Sequence, residues 1–305
     1  MCLTLEVLVT GSKGQLGCEL RRCFETMAAE IGPIPEAYRG AVVDYADYDL
    51  LDISDADAVR RWFEEQGPYD LVVNCAAVTN VDGCEADEGG AYRVNAAGAE
   101  NLACSAEACG AKLVHVSTDY VFPGTDPRPR CEDDPVGPIS AYGRTKLAGE
   151  QLAEAACSRA FVVRSAWLFG YVGRNFVKTM LRLARENGKI AVVADQVGNP
   201  TSANDLAYTI LKIATTEEYG VYHCTNNGIC SWFDFASAAV ELAGIPCEKE
   251  PLTSAEYKAR FPQSADRPAY SSLDNARLRA TVGDEMRPWR VALATYMANL
   301  EELGD

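Results

Sequence analysis

Histidine is almost missing from this chain: two residues, His115 and His223, among 305. Both lie in strand-like runs with no second histidine or ligand-spaced cysteine beside them, so both read as structural rather than catalytic or metal-binding. Basic side chains are also short in number. The 28 Lys and Arg face 44 Asp and Glu, a formal net charge of -16. Nucleic acid and anionic membranes would be repelled and are excluded as partners, whereas a small anionic ligand needs only a local cation. No apolar run approaches the length that spans a bilayer. Residues 1–6 reach an acid at Glu6 without a basic region before it, so no secretory leader is expected. Internal repeats and low-complexity linkers are absent as well. The 12 cysteines run from Cys2 to Cys247 with no C-x-x-C pair and no metal-like cluster. Cys75, Cys104 and Cys109 sit in apolar stretches as small core residues. A reducing, cytoplasmic location follows.

What is present is an ordinary globular composition, 48% hydrophobic and 24% charged, enough for a large domain with a smaller attachment. Residues 5–10 read as a short buried strand. Gly11, Ser12, Lys13, Gly14, Gln15, Leu16 and Gly17 follow directly, and residues 18–30 read as a helix. A glycine-rich turn from strand to helix brings backbone N–H groups and a helix N-terminus against a pyrophosphate, although the spacing here is G-x-x-G-x-x-G. Further strands are expected at 41–43 (ending at Asp44), 70–74, 112–116, 161–164 and 190–193. Helices are expected at 55–66 (capped by Ser54), within 86–109, and at 142–156 and 176–186. Strands alternating with helices predict a parallel sheet with right-handed crossovers. The last third breaks this rhythm: Pro200 and Pro246 punctuate it, and helices are expected at 204–215, 232–243 and 289–300. The chain therefore reads as α/β, a Rossmann-like doubly wound parallel sheet with a smaller mixed α/β C-terminal substrate lobe. Residues 1–165 form the dinucleotide-binding part. Residues 166–305 form mostly the substrate-binding lobe, with a strand near 190–200 joining or bordering the sheet.

Tyr142 and Lys146 stand four apart, on one face of the predicted helix. An ammonium there favours the phenolate and is expected to bring the phenol down towards neutrality, making a proton donor or acceptor. With 14 Tyr, chance supplies roughly 0.4 such pairs, so the pair gains meaning only from its surroundings. Asp44 at the second strand's end is a candidate acceptor for a ribose hydroxyl, and Lys13 a candidate for a 2′-phosphate.

These motifs together resemble the extended short-chain dehydrogenase/reductases: the glycine turn, Ser117-Thr118 ending the fourth strand, and Tyr142-Gly143-Arg144-Thr145-Lys146. Finer stretches resemble the dTDP-4-dehydrorhamnose reductase branch of that family. They are residues 74–82, Asp119-Tyr120-Val121-Phe122 after the Thr, Arg164-Ser165-Ala166-Trp167, Asn175-Phe176, residues 195–201 and Arg267-Pro268. The resemblance covers essentially the whole chain, in order. It implies NADPH or NADH as cofactor and a nucleotide-sugar ketone as substrate, reduced at its 4-keto group. Thr118, Tyr142 and Lys146 would be catalytic. Besides the glycine turn, Asp52, Ile53, Cys75, Ala76, Ala77, Thr79 and Ser117 would meet the cofactor. Val81, Thr118, Asp119, Tyr120, Trp167 and Asn175 would meet the sugar, and Arg267 the diphosphate. Related dehydratases carry Asp-Glu after the Thr; Tyr120 in the Glu position removes their base. Some relatives are magnesium-dependent dimers, and Glu19 stands where one such carboxylate could lie, but no clustered set is visible, so no metal is assigned and the protein is expected to be a monomer or homodimer. Two alternatives stay open: an oxidoreductase or epimerase on another nucleotide sugar, and a non-catalytic regulatory subunit of the same fold.

Overall fold

The computed structural model describes residues 4–304, so Met1, Cys2 and Leu3, on which the leader expectation partly falls, lie outside the described residues. In chain order the longer strands are β1 (Glu6–Thr10), β2 (Val42–Ala46), β3 (Leu71–Asn74), β4 (Lys112–Thr118), β5 (Ala160–Ser165), β6 (Lys189–Val193), β7 (Gly220–His223) and β8 (Glu248–Leu252). The main helices are α1 (Gln15–Thr26), α2 (Ala56–Gln66), α3 (Gly98–Cys109), α4 (Ala141–Ala156), α5 (Phe176–Asn187), α6 (Ala203–Ala214), α7 (Trp232–Leu242) and α8 (Trp289–Leu303). Six strands form one parallel sheet in the order β7-β5-β4-β3-β1-β2.

The sheet is buried on both faces because its strands are apolar at successive positions. Val7 and Val9 face one way and join Leu16, Leu20, Leu206 and Ile210, from α1 and α6. Leu8, between them, points to the other face and joins Val72 of β3 with Val59 and Leu102, from α2 and α3. That is the period-two alternation of a strand serving two helical layers. β1 pairs with both β2 and β3, so the chain reverses its direction of winding there, and a crevice opens beyond the strand ends.

Several boundaries differ from those expected. β2 continues to Ala46, which leaves Asp44 inside the strand, where its carboxylate accepts from the Tyr69 hydroxyl at 2.6 Å. The cap of α2 is Asp55, not Ser54; its side chain accepts from the N–H groups of Asp57 and Ala58. Asp52 occupies the Ser54 hydroxyl instead. The helical stretch before β4 is broken into Val81–Ala86, Glu88–Tyr92, a wider turn at Arg93–Ala97, and α3. β6 does not join the six-stranded sheet; it pairs in parallel with β8 in a separate small sheet. The sheet's edge is instead β7, beside β5. α6 packs in the same core as α1. Residues after 166 thus contribute to both layers. The second layer has its own core, in which Val177, Leu181, Phe235, Trp289, Leu293 and Tyr296 pack together.

Candidate active site

At the carboxyl ends of β1, β3, β4 and β5 a cleft of about 980 Å³ separates the sheet from the second layer. Its floor begins at the glycine turn. Gly11 has φ +65°, and a Cβ there would stand 2.6 Å from the Ala76 nitrogen. A Cβ at Gly17 would stand 2.4 Å from the Gly11 carbonyl oxygen. Only glycine lets β1, α1 and the chain after β3 approach this closely. Gly14 caps α1 in an extended conformation with no side-chain hydrogen bond, and the first turn carries no acid. Helix N–H groups without a capping side chain, at a turn with no bulk, fit an anionic diphosphate. Buried Gln15 Oε1, also on this wall, has no hydrogen-bond partner.

Gly11, Lys13, Gly14, Gln15, Leu16, Gly17, Asp52, Ile53, Cys75, Ala76, Ala77, Thr79 and Ser117 all line the cleft. Ser12 does not: it is buried, and its N–H donates to the Ala46 carbonyl at 3.1 Å. Asp44 is likewise off the wall, held by Tyr69. Its place is taken by Asp47 and Tyr48, just past the true end of β2. Asp47 accepts from the Lys13 backbone N–H at 2.8 Å, while the exposed Lys13 ammonium pairs with Asp49 at 2.8 Å.

The chemical centre lies where β4 ends. Ser140 caps α4 by accepting from the Gly143 N–H. A Cβ on Gly143 would stand 2.3 Å from the Tyr120 carbonyl oxygen, so glycine lets the first turn of α4 lie against the turn Asp119–Val121. That contact brings Tyr142 onto the same stretch of wall as Thr118, whose hydroxyl favours the phenolate. Thr118 also donates to Asp119 Oδ1 at 2.9 Å and accepts from the Tyr120 N–H at 3.2 Å. Tyr120 packs edge-on against the Tyr142 ring, with centroids 5.4 Å apart. Asp119 is fully buried; burial pushes its carboxyl up to about 6, and its Oδ2 has no partner.

Lys146 is buried on the same helix face. Its ammonium donates to the Val116 carbonyl at 2.7 Å and lies 3.4 Å from His115 Nε2. Burial lowers it to about 8. The expectation that Lys146 brings the phenol down is corrected here. Tyr142 is held well above the ordinary phenol range, chiefly by burial, with the Thr118 hydroxyl opposing and the Asp119 carboxylate adding to it.

Of the residues expected to meet the sugar, Val81, Thr118, Asp119, Tyr120 and Trp167 line the cleft. Two expected residues do not. Asn175 is consumed as the cap of α5, accepting from the Lys178 N–H at 2.9 Å and donating to the Gly170 carbonyl at 2.7 Å. Arg267 pairs with Asp82 at 3.2 Å and is not among the residues that line the cleft. The opposite wall carries residues that sequence reasoning missed. Trp232, read only as a helix start, stacks on Trp167 with centroids 3.5 Å apart and planes 8° apart. Val172, Gly173 and Arg174 form a loop beside it. The Ser231 cap preceding Trp232 was the available signal for its fixed position.

Glu19 is buried in α1 and is satisfied by Arg22 at 2.8 Å and the Asn204 amide at 2.8 Å. Among the described residues no group of three or more His, Cys, Asp or Glu is arranged to hold a metal ion. No helix among them is long and apolar enough to cross a membrane.

The family described as "RmlD substrate binding domain" matches residues 5–302. A dTDP-4-dehydrorhamnose reductase of Mycolicibacterium smegmatis is 41% identical over 295 residues, 96% of this chain and 85% of that one. The crystal structure of a dTDP-4-dehydrorhamnose reductase of Clostridium acetobutylicum superposes with a TM-score of 0.89, at 43% identity, covering 97% of this chain and all of the other. The Bacillus anthracis dTDP-4-dehydrorhamnose reductase, solved in complex with NADP, gives a TM-score of 0.88 at 38% identity and 97% coverage.

Proposed function

The chain belongs to the RmlD substrate-binding-domain family, and from that premise we propose that it reduces the 4-keto group of dTDP-4-dehydro-L-rhamnose with NADPH or NADH. The product would be dTDP-L-rhamnose, a building block for cell-surface polysaccharide made in the cytoplasm. The observation that carries this reading is that Thr118, Tyr142 and Lys146 line the same cleft as the glycine turn. Once bound along that turn, the reduced nicotinamide supplies a hydride to the carbonyl carbon.

The chain's own residues do the rest. Thr118 holds the ketone oxygen, and Tyr142 gives it the proton. Burial keeps the phenol protonated at physiological pH, so the acid form is the one on hand when charge develops on the oxygen. A positioned acid contributes roughly 10²–10⁴ in rate. Tyr120 fills the position where a dehydratase would need a carboxylate base, which favours simple ketone reduction. Arg174, exposed on the wall, is better placed than Arg267 to meet a diphosphate.

The test is NAD(P)H oxidation by the purified chain with the 4-keto nucleotide sugar, with the product identified by mass and NMR. Turnover to dTDP-L-rhamnose is expected. Turnover only with a different nucleotide sugar would move the substrate assignment. Cofactor binding without any turnover would make the protein a non-catalytic binder and sink the reductase reading.

A further inference from the structure

His115 is not merely structural. It is the middle member of a buried chain that starts at a backbone N–H and ends on Lys146. The Ala76 N–H donates to Asn74 Oδ1 at 3.1 Å, and the Thr10 hydroxyl donates to the same oxygen at 2.8 Å. A backbone N–H can only donate, so the Asn74 oxygen is fixed on that side. Asn74 Nδ2 therefore faces His115 Nδ1, 3.1 Å away. An amide nitrogen also only donates, which leaves Nδ1 as acceptor and places the ring proton on Nε2. That nitrogen lies 3.4 Å from Lys146 Nζ. The ring has no room to turn away. It is 1% exposed, and a Cβ on Gly149 would stand 3.3 Å from Nε2.

We propose that Asn74 and His115 form a positioning relay that sets the charge of Lys146 by aiming a ring N–H at its nitrogen. An ammonium offers that N–H no lone pair; a neutral amine does. The relay thus favours the amine and makes the charge on Lys146 adjustable instead of permanent. The benefit, which rests on the reductase reading above, is proton resupply. When Tyr142 has given its proton to the product oxygen, its O–H bond must be remade. Lys146, a turn along the same helix face, can release an N–H proton for this, become the neutral amine that His115 accommodates, and regain a proton from solvent.

Other groups around Lys146 act in known directions. Glu150 on its own helix favours the ammonium. Cys75, across from it, has its thiol pushed up to about 12 by burial and stays neutral. Tyr142 also stays neutral near pH 7. His115 itself is held neutral, pushed well below the ordinary imidazole range by burial and by Lys146.

His223 provides an internal control. Its Nδ1 faces two carbonyls, Arg130 at 2.9 Å and Asp274 at 3.2 Å, so its proton sits on Nδ1. The two histidines must be opposite tautomers. Long-range ¹H–¹⁵N NMR of the full chain labelled at histidine tests this without any variant. His115 should show a bare Nδ1 and a protonated Nε2, His223 the reverse, and the His115 Nε2 resonance should inflect near pH 8 as Lys146 changes charge. A protonated Nδ1 on His115, or a resonance flat from pH 6 to 10, would overturn the proposal. In the reductase assay, His115→Leu should move the alkaline limb of the pH profile up by about one unit, and His115→Gln, which keeps an N–H, should restore most of it. A limb that stays put in a folded, active His115→Leu would overturn the relay while leaving the reductase reading intact. Absence of turnover in the parent protein would instead overturn the reading on which the benefit rests.

Discussion

The two walls of the cleft are built by different means. On the sheet side several polar groups are fixed by partners, Thr118 by Asp119 and Tyr120, Lys146 by Val116, Asn74 by Ala76, while Gln15 Oε1 and Asp119 Oδ2 are left without one. Backbone segments there meet at glycines that tolerate no side chain. On the opposite side the wall is a stacked pair of indoles, Trp167 on Trp232, next to the exposed loop of Gly173 and Arg174. The first wall is preorganised for one chemical event. The second offers flat apolar surface and the exposed Arg174, which on the reductase reading would choose what lies against it. If this division holds, damage to the first wall should appear in kcat or cofactor binding, and damage to the second in KM for the sugar nucleotide.

Tyr142→Phe should give the largest effect, a loss of roughly 10²–10⁴ in kcat with the Kd for NADPH unchanged, read from steady-state kinetics and a fluorescence titration. Near-normal kcat would remove the phenol from its role. Next comes Asp119, whose buried carboxyl is raised to about 6 against an unfolded value near 3.9. As pH rises from about 4 to 6 the unfolded chain gives up this proton first, so ionisation costs the fold stability, about 3 kcal/mol in all. Denaturant titrations at pH 4.5 and 7.5 should show about 2 kcal/mol of that loss in the parent protein, the remainder falling below pH 4.5, and none of it in Asp119→Asn. An equal slope in both would mean that Asp119 is not desolvated as described.

Trp232→Ala attacks the other wall. Losing one aromatic stack is worth about 0.5–1.5 kcal/mol, so KM for the sugar nucleotide should rise up to about tenfold while NADPH affinity stays level. A fall in kcat with KM unchanged would blur the two walls. The smallest effect separates the two arginines. Arg267→Ala breaks a partly exposed ion pair with Asp82, worth less than about 1 kcal/mol, and should change KM less than Arg174→Ala does. The reverse ranking would return the diphosphate role to Arg267.

The same two walls differ in how far the sequence reveals them. β1 and the glycine turn declare themselves, because a run of apolar residues broken by three glycines has few other physical uses. The Tyr142–Lys146 pair is legible from its spacing, and Thr118 from the end of an apolar strand. What the pattern does not carry is the sense of the electrostatics. Lys146 lies on the same helix face as Tyr142, yet burial, with Asp119 adding to it, lifts the phenol instead of lowering it. Strand length misleads once: ending β2 at Asp44 hides Asp47 and Tyr48, which the structure places on the wall. β7 shows in the sequence only as the strand-like run around His223, because four residues at a sheet edge, beyond a long helix, carry too little pattern to place them in the sheet. Asn175, expected beside the sugar, is a helix cap, since an Asn serves a cap or a ligand contact equally well and only packing tells them apart; Trp232 lines the cleft beside Trp167.

The most direct measurement is a crystal structure of the chain with NADPH and dTDP-L-rhamnose. The sugar O4 should lie within hydrogen-bond distance of both Thr118 Oγ1 and the Tyr142 hydroxyl, with the nicotinamide against its C4. An O4 beyond reach of the phenol, with the sugar seated elsewhere on the cleft wall, would contradict it.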